Sequence, residues 1–282
     1  MNLKLIAHTE NPERVIALAG KLCYSEATIE ELEEGLTQEV IEKFVNKIFD
    51  LNHQSVLEHV SFTFAVEGIS RISEQQLTRH RMASYSIKSG RYTNNSNAKF
   101  HKSNDIIDDE YISGIFDEAS DKCLEVYNLI AEELIYNYCE EYLEDNEIEP
   151  DYNQTMKEFF YNNGFKKEYN SFTKKAYENA RMILPNSLET KIIFTMNLRS
   201  LVNFFEHRCC QRAQEEIREL AFQMLSMLQK EFPLLFKRLG APCKTLGYCP
   251  EGNMQCDKFK GIIPTKKEMY QAYLKMKQLE NK

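Results

Sequence analysis

The spacing of apolar residues along the chain predicts both strands and helices. Residues 61–68 (SFTFAVEG) alternate large apolar side chains with smaller or polar ones, which is the period of a half-buried strand. Residues 38–53 instead place apolar side chains three and four apart, which indicates an amphipathic helix. A short strand is predicted over residues 3–9, and a helix over residues 70–78 with Ser70 as its N-cap.

Later segments are predominantly helical in pattern. The Ser-, Gly- and Asn-containing segment 76–95 predicts a structured loop, and the acidic segment 104–146 predicts a solvated helical hairpin. One further helix is predicted over residues 190–213, with a buried stripe formed by Phe194, Leu198, Leu201 and Phe205. We therefore expect one α+β domain over residues 1–240, with a helical insertion at about 104–172 and an irregular cysteine-containing extension over 241–282.

Composition supports a folded globular protein. The 282 residues are 43% hydrophobic, which suffices for a core. No run approaches the roughly 20 apolar residues that span a bilayer, and the N-terminus is unlike a signal peptide, so a cytoplasmic location is expected. The eight cysteines lack the dense spacing of a small secreted disulfide framework.

The arginines have an uneven distribution in an acidic chain. The net charge is −8, which argues against general binding of nucleic acids. Eight of the 11 arginines lie in two windows, 79–91 and 181–218. Because the planar guanidinium group binds phosphate through two parallel hydrogen bonds, this clustering indicates small anionic ligands held in a pocket. Salt bridges on helix surfaces are the alternative.

The first window, RHRMASYSIKSGR, combines two arginines around a histidine with a Ser-Gly-Arg turn. In a loop, alternate side chains and the backbone amides near Ser89 can converge on a phosphate, and Gly90 allows close approach to the backbone. A basic surface loop would have a similar composition, so the window alone does not decide the function.

The second window adds amides to guanidinium groups. Arg199 and Asn203 are four residues apart and share one side of a helix, whereas Asn197 and Arg208 align on another side. Paired Asn and Arg suit recognition of amide and phosphate groups. Hydrogen bonding at a protein interface is the alternative.

No metal site is predicted. His53, Glu58 and His59 lack the H-E-x-x-H spacing, so a hydrogen-bonding corner between helix and strand is favoured over a metal centre. The tail cysteines lack C-x-x-C spacing, and structural or free thiols are favoured over zinc for Cys243, Cys249 and Cys256, even with Cys209-Cys210 as a source of a fourth thiolate.

Taken in order, these windows resemble the flavin-dependent thymidylate synthase family. The family signature, Arg-His-Arg followed by seven residues and a serine, is matched by Arg79-His80-Arg81 and Ser89. An upstream block matches at His53, Ser55, Glu58 and His59, and three downstream blocks match at 180–185, 197–204 and 208–217. The resemblance covers most of residues 1–235.

The resemblance implies a fold, a reaction and an assembly. The fold would be a central mixed or antiparallel sheet flanked by long helices. The enzyme would be a methyltransferase that converts dUMP to dTMP, with methylenetetrahydrofolate as carbon donor and NADPH-reduced FAD as hydride source. The family is homotetrameric, with active sites between subunits, and its members use no catalytic cysteine on dUMP.

The resemblance also assigns residues. Cofactor contacts would be made by His53, Ser55, Arg79, His80, Arg81, Asn197, Arg199 and Asn203. Substrate contacts would be made by Gln76, Arg79, Ser89, Gly90, Arg91, Arg181 and Arg208. Arg208 would be catalytic, because a fixed positive charge favours ionisation at N3 of the uracil. The chain departs from the family at Ile87, where many members have glutamate, and at Arg212, where a histidine is common.

Two other functions remain open from the sequence. A non-catalytic nucleotide- or RNA-binding protein could use the same arginines for phosphates, without a flavin and with steep salt dependence. A metal-dependent hydrolase centred on His53, Glu58 and His59 is the other alternative, although neither the net charge nor the ligand spacing favours these possibilities.

Overall fold

The computed structural model describes residues 1–280, except for the side chains of 278–280, and it shows an α+β protein. A four-stranded sheet has the order β1-β2-β4-β3. The strands are β1 (Asn2–His8), β2 (Ser61–Ser70), β3 (Ala83–Ile87) and β4 (Glu189–Asn197). Strand β1 runs antiparallel to β2, with Asn2 opposite Glu67 and a register shift between Leu5 and Ala7. The predicted strands at 3–9 and 61–68 are thus confirmed.

Helices account for most of the remaining chain. Within residues 1–280 they are α1 (Pro12–Leu22), α2 (Ile29–Glu34), α3 (Gln38–Asp50), α4 (Arg71–Leu77), α5 (Asn104–Ile107), α6 (Glu110–Asp145), α7 (Met156–Asn162), α8 (Lys166–Ala180), α9 (Leu198–Arg208), α10 (Glu215–Glu231), α11 (Pro233–Phe236), α12 (Pro242–Thr245) and α13 (Lys266–Glu280). The predicted helices at 38–53 and 70–78 correspond to α3 and α4, and Ser70 Oγ accepts the predicted capping bond from Ser73 N at 3.1 Å.

The chain divides into two compact units, which are described separately. The sheet unit comprises residues 1–67, 75–86 and the chain from 192 onward. The helical unit comprises residues 68–74 and 87–191. No helix within residues 1–280 has the length and apolar character that crossing a membrane requires.

The core of the sheet unit is aromatic. Phe62 and Phe64 of β2 are fully buried, as the alternation predicts. Phe64 stacks on Phe194 of β4 with ring centroids 5.5 Å apart, and Phe62 packs edge-on against Phe232 and Phe236. Phe236 of α11 also packs edge-on against Phe205 of α9, so this aromatic core joins β2 to the helix that carries Arg208.

Two predictions in this unit were wrong. Residues 190–197 form strand β4 rather than the start of a helix, because burial alternates along Ile192, Phe194 and Met196 with a period of two. Residues 83–87 form strand β3 inside the predicted loop. There Tyr85 stacks on Phe194 at 6.3 Å, so packing in the sheet overrides the turn-like composition.

The helical unit is built on one long helix. The predicted hairpin was wrong, because α6 continues for 36 residues and packs along α8. No proline interrupts α6, and its single glycine, Gly114, lies near its beginning, so the sequence supplies no turn for a hairpin. The aromatics of segment 146–172 form a second core, in which Phe159 and Phe160 pack with Cys139 and Leu143 of α6.

Candidate functional site

The Arg79-His80-Arg81 segment forms a fixed turn between α4 and β3. The Tyr85 hydroxyl lies within hydrogen-bond distance of the carbonyls of Leu77 (2.8 Å) and His80 (2.7 Å). Burial raises the pKa of Tyr85 to about 12, so this hydroxyl keeps its donor proton at neutral pH. The turn is therefore held in place from the strand that follows it.

Helix α9 begins next to this turn. The Asn197 side-chain oxygen caps the helix by accepting a bond from Ser200 N at 2.8 Å, and Leu198 N donates to Val60 O at 2.8 Å. Ser200 Oγ in turn donates to Met82 O at 2.8 Å. These bonds fix the first turn of α9 against the segment that carries the arginines. Asn197, predicted as a ligand contact, thus also has a structural role.

The turn and the helix border a cavity of about 1150 Å³ in the sheet unit. Six of the eight predicted cofactor residues line it, namely Arg79, His80, Arg81, Asn197, Arg199 and Asn203. His53 and Ser55 are exposed on either side of Gln54, which also lines the cavity. Sequence segments more than 100 residues apart are therefore brought to one site.

Two of the guanidinium groups in the cavity remain available for a ligand. Arg199 forms an ion pair with Glu58. Among the side chains of residues 1–277, no carboxylate forms an ion pair with Arg79 or Arg81. Both side chains are exposed to the cavity, so the site carries uncompensated positive charge that suits an anionic group.

The histidines near Glu58 do not assemble a metal centre. Within residues 1–280, no group of three His, Cys, Asp or Glu side chains is arranged to hold a metal ion. Glu58 instead serves as the acidic partner of Arg199, which is a hydrogen-bonding role at the border of the pocket.

Arg208 connects His80 to helix α4 in one hydrogen-bonded group. Its Nε donates to His80 Nε2 at 3.0 Å, and its Nη2 donates to the Gln76 carbonyl at 3.1 Å. Burial, as the largest cause, together with the positive charge of Arg208 and the neighbouring His207, lowers the pKa of His80 to about 4. His80 is thus neutral at pH 7, and because its Nε2 accepts a bond, its proton resides on Nδ1.

The Arg208 guanidinium is a charged hydrogen-bond donor that its two contacts hold in place. Burial also lowers the pKa of the Arg208 guanidinium. Because Arg208 contacts neutral acceptors rather than a carboxylate, its positive charge remains uncompensated within the group. The Gln76 side chain donates to Gln214 at 2.5 Å, which ties α4 to the start of α10.

The helical unit gathers four of the predicted substrate residues. A Cβ at Gly90 would lie 3.1 Å from Arg181 Cδ and 3.2 Å from its Nη1, so a larger residue here would require Arg181 to shift by a few tenths of an ångström. Arg91 pairs with Glu178 at 2.9 Å, and Arg91 N donates to Ser89 Oγ at 3.2 Å. Ser89, Gly90, Arg91 and Arg181 therefore form one small basic cradle.

Part of the cavity wall was missed from the sequence. Nine lining residues fall between Ala241 and Phe259, in the extension for which no site was predicted. Glu206, His207 and Ser200 of α9 also line the cavity. The only sequence signal for the extension was its cysteines among proline and glycine residues, and that pattern did not point to this cavity.

Comparisons with known proteins show the family of this chain. A family model described as thymidylate synthase complementing protein matches residues 4–234. A flavin-dependent thymidylate synthase from Clostridium tetani is 44% identical over 92% of this chain and 94% of the relative. Proteins of the same name from Geobacter sulfurreducens (37% identical, 95% of this chain and 99% of the relative) and Pyrococcus furiosus (33%, 90% and 91%) also match.

Proposed function

The chain belongs to the flavin-dependent thymidylate synthase family and is a methyltransferase that forms dTMP from dUMP, and we propose that it does so with FAD as its flavin. We further propose methylenetetrahydrofolate as the carbon donor and NADPH as the source of reducing equivalents. The observation that carries the proposal is the cavity in which Arg79 and Arg81 stand without acidic partners beside Arg199 and Asn203.

The residues of the cavity fit the diphosphate of FAD. Arg79, Arg81 and Arg199 supply guanidinium donors, and the amides of Asn197 and Asn203 supply further hydrogen-bonding groups. His53 and Ser55 would contact the cofactor from the edge beside Gln54. When bound, the flavin supplies the hydride of the reaction.

Arg208 is the proposed catalytic residue. The dUMP phosphate would be held by Ser89, Gly90, Arg91 and Arg181, with Gln76 and Arg79 as further contacts. The positive charge of Arg208 would stabilise negative charge that develops at N3 of the uracil ring. His80 is neutral and therefore does not neutralise or repel the Arg208 guanidinium. Its Nε2 accepts the hydrogen bond that orients the Arg208 side chain.

The proposed assembly is a homotetramer in which neighbouring copies complete each site. Burial raises the pKa of Cys139 to about 11 and of Cys209 to about 12, which leaves these two thiols protonated at neutral pH. Ile87, at the end of β3, offers no hydrogen bond to a ligand, so the polar contact made by glutamate in many family members is not provided there.

The decisive experiment combines flavin analysis with turnover. The purified protein should show flavin absorbance, release FAD on denaturation, and oxidise NADPH in a reaction that depends on both dUMP and methylenetetrahydrofolate and yields dTMP. A protein that binds no flavin and forms no dTMP under these conditions would refute the proposal. Salt-sensitive binding of nucleic acid by such a protein would favour the non-catalytic alternative.

A further inference from the structure

The C-terminal extension forms one wall of the ligand cavity. The family match ends at residue 234, yet the cavity is also lined by residues between Ala241 and Phe259, a stretch that we call the tail wall. Arg79, Arg81 and Arg199, which are assigned above to the flavin diphosphate, line the same cavity of about 1150 Å³. The tail wall therefore borders the space in which the flavin and its co-substrate would meet.

An ion pair attaches the tail wall to the cavity. Arg212 Nη1 lies 2.5 Å from Glu251 Oε2, and the two side chains are 40% and 46% exposed. Arg212 follows helix α9 closely, whereas Glu251 lies two residues after Cys249 of the tail wall. This contact therefore joins the tail wall directly to the segment that follows the catalytic arginine.

Other bonds give the tail wall its own internal order. Cys249 N donates to Pro264 O at 2.8 Å, and Lys266 N donates to Cys249 O at 3.2 Å. The Gln255 side chain donates to the Ile263 carbonyl at 2.6 Å. These bonds fold the extension onto itself, and the Arg212–Glu251 pair joins the folded extension to the segment after α9.

The surface that the tail wall presents is largely uncharged. Cys243, Cys249 and Cys256 line it together with Pro242, Pro250 and Phe259, and Cys210 faces the same cavity. Burial raises the pKa of the Cys243 thiol, and the neighbouring thiols Cys210, Cys249 and Cys256 raise it further, so the thiol is protonated at neutral pH. The nearby charge of Arg212 is compensated by Glu251.

Such a surface is unsuited to phosphate but suited to a flat ring. Polarizable sulfur, proline and an aromatic side chain favour contact with the face of a planar heteroaromatic group. Both the pterin of the folate and the nicotinamide of NADPH have this chemistry, and the two can be distinguished by experiment.

We propose that the tail wall receives the planar ring of a co-substrate, and that Glu251 is a positioning residue that holds this wall in place through Arg212. This inference rests on the proposed function. Glu251 does not contact the reacting atoms, so its loss should change the KM for one co-substrate and leave the chemistry itself largely intact.

The test compares Glu251→Gln with a matched control, Asp50→Asn, in the full-length protein. Asp50 pairs with Arg238 at 2.7 Å on the surface, so the control removes an ion pair of similar exposure that does not border the cavity. In ligand-free protein, iodoacetamide should label Cys210, Cys243 and Cys256 about two- to fivefold faster in Glu251→Gln than in wild type, which corresponds to the loss of one exposed ion pair. The control should label like wild type.

Steady-state kinetics provide the second measurement. Glu251→Gln should raise the KM for either methylenetetrahydrofolate or NADPH by about the same two- to fivefold, with FAD content, kcat and the KM for dUMP unchanged. The co-substrate whose KM rises should also protect the three thiols of the wild-type protein from iodoacetamide. This protection would identify which planar ring contacts the tail wall. The charge reversal Arg212→Glu with Glu251→Arg should restore slow labelling.

Several outcomes would overturn the inference. One is labelling and KM values indistinguishable from those of Asp50→Asn, and another is a lack of protection by either co-substrate. A loss of FAD or an equal rise in all KM values would also contradict it, since the tail would then support the whole site. Because labelling is measured without ligands, it still reports on the tail wall if the enzyme activity proposed above is not found.

Discussion

Replacing Arg208 with alanine tests the proposed catalytic group most directly. The guanidinium is a fixed positive charge that makes two hydrogen bonds to neutral acceptors, so no carboxylate cancels its field in that group. Removing one such donor from a developing anion costs about 2.7–4 kcal/mol of transition-state stabilisation, or about 10²–10³ in kcat. Flavin content should remain near that of wild type, because Arg208 does not belong to the set proposed to hold the cofactor.

The same substitution has a predictable cost in stability. Two hydrogen bonds are lost, each contributing about 0.5–1.5 kcal/mol, and the half-buried position places the total near the lower end, about 1–2 kcal/mol. For a chain of this size that lowers Tm by about 2–4 °C per kcal/mol. Arg238→Ala, which removes an exposed arginine outside the cavity, is the control and should keep full turnover.

His80 gives a spectroscopic measure of the same contact. In wild type its imidazole should titrate near pH 4 by NMR, and its depressed pKa means that the native state binds fewer protons than the unfolded chain between about pH 4 and 6.5. Its contribution to stability is therefore present above pH 6.5 and is lost as the pH falls towards 4. In Arg208→Ala the pKa should rise, but it should stay below 6.5 because burial is the larger cause.

The measurements that check this prediction are kcat, the KM for dUMP, flavin absorbance and the His80 titration in both variants. Folded Arg208→Ala protein with turnover within about threefold of wild type would refute the catalytic assignment. So small a loss of rate would mean that the charge of Arg208 does not stabilise the transition state. An unchanged His80 pKa would contradict the Arg208–His80 contact itself.

Two further substitutions test the two anion sites separately. Gly90→Ala places a Cβ 3.1 Å from the flexible side chain of Arg181, so Arg181 must move by a few tenths of an ångström. We therefore expect the KM for dUMP to rise about three- to tenfold with little change in Tm. An unchanged KM would argue against this cradle as the phosphate site. Glu58→Gln keeps an acceptor for Arg199 but removes the opposing negative charge. FAD should therefore bind about two- to fivefold more tightly in a titration monitored by flavin fluorescence. Weaker binding would instead mean that the carboxylate orients Arg199.

The sequence predicted those elements whose hydrophobic period was long and regular. Strand β2 and helix α3 follow their patterns closely, because one face of each packs on the core. The sequence failed for β3, which has five residues, and for β4, whose alternating apolar residues run directly into helix α9; the two strands meet where Tyr85 stacks on Phe194. That contact joins residues 109 positions apart, and no local propensity encodes it.

The sequence indicated those cavity-lining residues that belong to continuous motifs and missed those that do not. The motif that contains Arg79 and the motif that contains Asn203 were each visible in the sequence, and the fold brings them to one cavity. The tail wall could not be found this way, because Arg212 and Glu251 lie 39 residues apart and no motif connects them. Only the path of the chain after α11 shows that they meet.

The arginines that first distinguished this sequence can now be separated by their partners. Carboxylates compensate three of them, through the pairs Arg91–Glu178, Arg199–Glu58 and Arg212–Glu251. In the part of the chain whose side chains the structure describes, no carboxylate forms an ion pair with Arg79, Arg81 or Arg208, although acidic residues outnumber basic ones by 43 to 35 in the whole sequence. In a chain with that excess of acid, three guanidinium groups bordering one cavity without acidic partners are costly to hold together unless an anion compensates them. Their mutual repulsion in the ligand-free protein should therefore be relieved on binding, so FAD and dUMP should each raise Tm by more at low than at high salt.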